Sequence, residues 1–169
     1  MVEVYSVDKL IGEARRLAAE YRRATGKPLG IGAEIARHDA ARLMGLDLVA
    51  PLDVGGFDAV GRGPREGLRI QIKGRAIFDE GKGGQRLGQI KENQEWDRLV
   101  LVLMDEDFEP YEIYEAERAD VLTAAADSAA SRRRRGALSV ARFKNIARLV
   151  WTRENGLEDD GYWENTVGL

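Results

Sequence analysis

The chain contains no cysteine and a single histidine, His38. The first absence excludes disulfides, a thiol nucleophile and thiolate zinc centres. The second excludes a histidine-based zinc cluster or an HExxH helix within one chain. Any metal held here must bind mostly oxygen, which favours magnesium, manganese or calcium. Long apolar runs are also missing: none approaches the roughly 20 residues of a membrane span, and Met1 to Leu10 lacks the apolar stretch of a signal peptide. A cytoplasmic address without membrane attachment is the expectation. The glycine-rich stretches Gly61 to Arg65 and Gly81 to Gly88 do not match a phosphate-binding loop, and neither links a strand directly to a helix as a dinucleotide site requires. No Ser-His-Asp arrangement is indicated, since the only histidine has no nucleophile-elbow partner.

What is present is the composition of an ordinary folded domain, with 44% hydrophobic and 33% charged residues over 169 positions. No repeat or linker divides it, so one domain is expected over 1–153, followed by an acidic tail over 154–169. The net charge is -3, which speaks against a nucleic-acid partner until its distribution is considered. Between Ser131 and Arg153 stand eight basic residues and no acid, leaving 18 basic and 29 acidic residues elsewhere. That stretch either grips a phosphate backbone or pairs with the acidic segment Asp105 to Glu117.

Along the chain, Ser6 is placed to cap a helix with apolar residues from Val7 to Tyr21, ending near Thr25-Gly26. A second helix from about Ile31 to Met44 stops at Gly45 and carries Glu34 and His38 one turn apart. Leu46 to Ala50 reads as a short strand or a connection. Ala76 to Asn93 reads as a long loop with one helical turn near Leu87 to Asn93, and a loop of that length is often functional. Leu99 to Met104 is the pattern of a strand buried on both faces, and Tyr111 to Tyr114 the next. Helices are expected over Glu115 to Ala130, with an acidic first turn, and from a Ser139 cap to about Arg148. The whole is an α/β (α+β) domain with a mixed central sheet flanked by helices.

The informative stretch is a pair of strands in which polar residues interrupt apolar runs in step. A turn centred between Pro64 and Arg65 sets Asp58 opposite Gln71, equidistant from it. Period-two alternation then points Asp58, Gln71 and Lys73 to one face and Phe57, Ile70 and Ile72 to the other.

A helix bearing an acid, then Gly56-Phe57-Asp58, then a strand with Gln71-Ile72-Lys73, resembles the PD-(D/E)xK nuclease superfamily of restriction-endonuclease-like fold. The Gln-x-Lys form is similar to its Mrr-type restriction subgroup. Motif residues cover Ile31 to Lys73, and Leu99 to Tyr114 follows by strand pattern alone. Two positions depart: Phe57 stands where the motif has proline, and the amide of Gln71 replaces an acid.

The resemblance implies a metal-dependent DNA endonuclease. Asp58 is then the main ligand of Mg²⁺ or Mn²⁺, Gln71 a carbonyl ligand or water-positioner, Glu34 the second carboxylate, and Lys73 the group that steers the attacking water. Arg75, Lys91, Arg132, Arg133, Arg134, Arg135 and Lys144 are candidate phosphate contacts, with Arg142 and Arg148 extending the patch along a helix. Cutting both strands calls for two sites, hence a homodimer. The neutral Gln71 leaves an alternative: an inactive nuclease-fold protein serving as a DNA-binding or protein-interaction module. Trp96, Trp151 and Trp163 read as core or interface anchors.

Overall fold

The computed structural model describes residues 6–49, 56–78, 85–90, 94–130 and 137–158. The N-terminal helices obey local rules. The Ser6 hydroxyl accepts a bond from the Lys9 N–H at 3.2 Å and caps α1 (Val7–Thr25). Gly26 ends that helix in the left-handed conformation, and Gly45 does the same for α2 (Gly32–Met44).

Next come β1 (Leu46–Leu48), β2 (Ala59–Gly61) and β3 (Arg69–Ala76), an antiparallel meander with a 3-10 turn at Gly63–Arg65 between β2 and β3. Ala59 pairs with Ile70 and Val60 with Arg69, the register expected of a turn centred between Pro64 and Arg65.

The remaining elements are β4 (Arg86–Gln89), β5 (Arg98–Met104), β6 (Pro110–Glu117), α3 (Arg118–Ala130), β7 (Ala137–Ser139), α4 (Val140–Ile146), β8 (Arg148–Thr152) and β9 (Gly156–Leu157). Seven strands form one mixed sheet in the order β1-β2-β3-β5-β6-β8-β9, with β3 and β5 parallel and the other neighbours antiparallel. Strands β4 and β7 make a separate antiparallel pair.

Three local expectations need correction. Leu87 belongs to β4 and not to a helical turn, because residues 137–139, far along the chain, supply its strand partner. Glu115 to Glu117 continue β6 opposite Val100 to Arg98, so α3 starts only at Arg118. Helix α4 stops at Ile146, and Arg148 opens β8. Lys91, Arg132 to Arg135 and Trp163 lie outside the described residues.

Strand β5 divides the core. Val100, Val102 and Met104 join Ile70, Ile72, Ile113 and Val150 beneath Ile35, Ala36 and Ala40 of α2 and Ala18 of α1. Leu99, Leu101 and Leu103 face the other way, onto Trp96, Leu87, Leu138, Val121 and Phe143. Alternation across a strand buried on both faces therefore builds two apolar layers.

Polar groups fasten the first layer. Arg15 of α1 donates to both oxygens of Asp39 on α2, at 2.9 and 2.6 Å, and to the Phe108 carbonyl. The Asp39 side chain is 1% exposed, so the bidentate guanidinium satisfies a carboxylate that burial would otherwise penalise heavily. Among the described residues no helix is long and apolar enough to cross a membrane.

Candidate active site

The site lies where β2 leaves β3. Gly56, Phe57 and Asp58 precede β2, and the Asp58 N–H already bonds the Ile70 carbonyl of β3 at 2.8 Å. Beyond that point the edge of β3 has no strand partner from β2, and the Asp58 carboxylate takes its place: Oδ2 accepts from the Ile72 N–H at 2.7 Å. Since that N–H points along the sheet, the carboxylate lies close to the sheet plane.

This geometry corrects the alternation argument. The expected register holds at Ala59 and Val60, but Asp58 stands in a bend with its N–H on the Ile70 carbonyl and not paired to Gln71, so its side chain does not follow the period of a strand. Phe57 packs with the second apolar layer, whereas Ile70 and Ile72 belong to the first.

On the α2 side, Arg37 is the organising residue. Its Nη1 donates to both oxygens of Glu34 at 3.1 Å, and its Nε stands 3.1 Å from Oδ1 of Asp58. The Nε hydrogen is not aimed at that oxygen or at any other acceptor, so the contact with Asp58 is coulombic. Nη2 reaches the Val49 carbonyl at 3.4 Å. Glu34 and Asp58, 24 positions apart in sequence, thus converge on one guanidinium whose side chain is 17% exposed. The i,i+3 spacing of Glu34 and Arg37 is visible in the sequence. That Asp58 faces the same group is not.

Gln71, Lys73 and Arg75 occupy the face of β3 turned away from α2. Residues 70, 72 and 74 are buried against that helix, and a Cβ built on Gly74 would stand 2.4 Å from Cβ of Ala36. The Gln71 amide leans toward the start of β2, with Nε2 3.5 Å from the Gly56 carbonyl and 3.4 Å from Oε1 of Gln94. Its own Oε1 is buried and has no hydrogen-bond donor among the described residues, an arrangement that carries a free-energy cost.

Gly56 is needed here twice over. Its φ is +77°, and a Cβ would fall 2.4 Å from Cβ of Gln94. Neither Gln94 nor the crowding at Gly56 can be read from local patterns.

The structure thus brings Glu34, Asp58 and the unforeseen Arg37 together, and sets Gln71 and Lys73 on the adjoining face. Arg75 donates to the Arg86 carbonyl of β4 and to the Gly74 carbonyl, both at 2.5 Å, and burial pushes its pKa down.

The described part of the basic stretch pairs within the chain. Arg142 meets Asp127, Lys144 meets Glu112 at 3.8 Å, Arg148 meets Glu115 and Arg153 meets Asp105. Three of these acids belong to the segment Asp105 to Glu117.

A divalent cation can be tested against these groups. Among the described residues no three of His, Cys, Asp and Glu form a metal-binding cluster, so a cation would rest chiefly on the two carboxylates of Glu34 and Asp58. Glu34 and Asp58 already meet around one positive group, whereas the Gln71 amide lies on the face of β3 turned away from α2. The donors are all oxygen, as Mg²⁺ and Mn²⁺ prefer, and the residues fit such an ion. Comparison of the chain with protein-family models and with curated proteins gives no match.

Proposed function

We propose that the chain is a restriction-endonuclease-like protein of the PD-(D/E)xK type and hydrolyses phosphodiester bonds in DNA with Mg²⁺ or Mn²⁺. The observation that carries this reading is the convergence of Glu34 and Asp58 on one cationic position. Helix α2, then β2, then β3 also follow in the order that the motif requires.

Asp58 and Glu34 would hold the ion. When bound, it would polarise the phosphate and lower the pKa of a water. Asp58 is fixed for this by the Ile72 N–H, which leaves its second oxygen toward Arg37. Lys73, two residues beyond Gln71 on the same face of β3, would orient the attacking water and offset negative charge as it develops on the phosphate.

Asp58→Ala and Lys73→Ala are each expected to abolish metal-dependent cleavage of plasmid DNA, with the far-UV circular dichroism unchanged. Cleavage that survives both substitutions would sink the assignment. Relaxed circles without linear product would mean single-strand nicking. Linear product would favour two copies acting together.

A second reading is a non-catalytic descendant of the same fold that binds DNA or another protein. Arg37 favours it, because a guanidinium between Glu34 and Asp58 compensates their charge without any metal. Calorimetric titration showing no Mg²⁺ or Mn²⁺ binding at millimolar concentration, together with no cleavage of any DNA form, would select it.

A further inference from the structure

We infer that Arg37 is a built-in competitor for the cation position, holding the acid pair together until a divalent ion displaces it. The inference rests on the nuclease reading and adds to it a residue that the sequence motif does not contain.

Two unlike contacts define the position. The bond to Glu34 uses both carboxylate oxygens and a correctly directed N–H. The approach to Asp58 is as short, 3.1 Å, but its N–H points elsewhere. Arg37 is therefore anchored on Glu34, where the carboxylate is exposed, and only leans on Asp58, whose side chain is 27% exposed. A cation entering at Asp58 would break no directed hydrogen bond from Arg37 to that residue. To recruit Glu34 as well, it must displace the guanidinium from both oxygens.

Arg37 has somewhere to go. Its Nη2 already reaches the Val49 carbonyl, an acceptor that remains when the side chain turns on its stem away from the acids. Two consequences follow. Without metal, Arg37 prevents Glu34 and Asp58 from repelling each other, so it is a positioning residue. With metal, the positive charge it contributes beside the site weakens the ion's binding.

The test is Mn²⁺ binding to the full-length protein, measured by calorimetry and by the loss of the free-ion electron paramagnetic resonance signal, without DNA. Arg37→Gln, similar in length and uncharged, is expected to bind Mn²⁺ at least tenfold more tightly than wild type, about 1.4 kcal/mol at 25 °C. Adding Asp58→Asn to that variant should remove the gain.

A purely structural role for Arg37 would lower metal affinity on substitution, and that result overturns the inference. Equal affinity in wild type and Arg37→Gln overturns it too, while leaving the nuclease reading in place. Absence of Mn²⁺ binding in every variant sinks the nuclease reading itself. If Arg37→Gln does not fold, Arg37→Lys serves instead. Its ammonium is a more strongly hydrated point charge without the planar guanidinium fork, so an intermediate gain, about threefold or more, supports the inference and no gain refutes it.

Discussion

Glu115 shows how far one side chain can depart from its local context. Its side chain is 2% exposed, and it accepts from Arg65 at 2.7 and 3.1 Å, from Arg98 at 3.2 Å and from Arg148 at 3.3 Å. These arginines come from the β2–β3 turn, from β5 and from β8, so one carboxylate ties three separate parts of the chain. Removing it leaves guanidiniums facing one another with the intervening charge gone. Glu115→Gln is therefore expected to cost about 3–5 kcal/mol, the range for breaking a buried ion pair on one side, measured as a shift of the urea unfolding midpoint. A loss under 1 kcal/mol would mean that water screens the cluster more than its burial implies.

Among the elements, the fit of α2 onto β3 positions the candidate site, because Glu34 and Arg37 ride on one and Asp58 is pinned to the other. That contact depends on Gly74. A methyl group there would meet Ala36 at 2.4 Å and the Met104 side chain at 3.2 Å. Gly74→Ala is expected to push α2 outward and destabilise the protein by about 1–3 kcal/mol, as overpacking does. Ala36→Gly removes the obstructing atom, so the double variant should recover part of that loss despite its glycine in a helix. Thermal unfolding of the four proteins provides the double-mutant cycle. Strict additivity would show that the helix does not press on Gly74.

For the whole molecule, acid stability depends on carboxylates held by arginines. Hydrogen bonds from the Arg69 side chain and the Arg69 N–H hold Asp97 below the usual aspartate range. Burial acts to raise Asp105, but bonds from Arg153 and from the N–H groups of Asp107 and Glu109 bring it below that range. Both groups have lower pKa values folded than unfolded. Their contribution is complete above the unfolded value of about 3.9 and is lost as pH falls through the lower folded values. Both are partly open to solvent, which reduces the size of the effect. The urea midpoint should hold between about pH 7 and 5 and drop below about pH 4. Asp97→Asn combined with Asp105→Asn should flatten that drop. An unchanged acid limb would assign it to other carboxylates.

The sequence by itself determined what depends on neighbours in the chain. The Ser6 and Ser139 caps, the glycine stops at Gly26 and Gly45, the β5 run and the register of β2 on β3 about Pro64-Arg65 all arise from hydrogen bonds or periodicities spanning a few residues. They stand where the sequence puts them. The Gly-Phe-Asp and Gln-x-Lys segments were equally legible as candidates.

Tertiary structure alone decided the rest. Leu87 became strand because residues 137–139 arrived beside it, and Glu115 stayed in β6 opposite Val100, where three arginines gather around its carboxylate. Asp58 left the face that alternation assigns it because its carboxylate accepts the Ile72 N–H of β3. Arg37 entered the site because the packing of α2 on β3 put Glu34 and Asp58 within reach of one side chain. In each case the deciding partner is distant in sequence, and a local pattern holds no information about which groups the fold will set against each other.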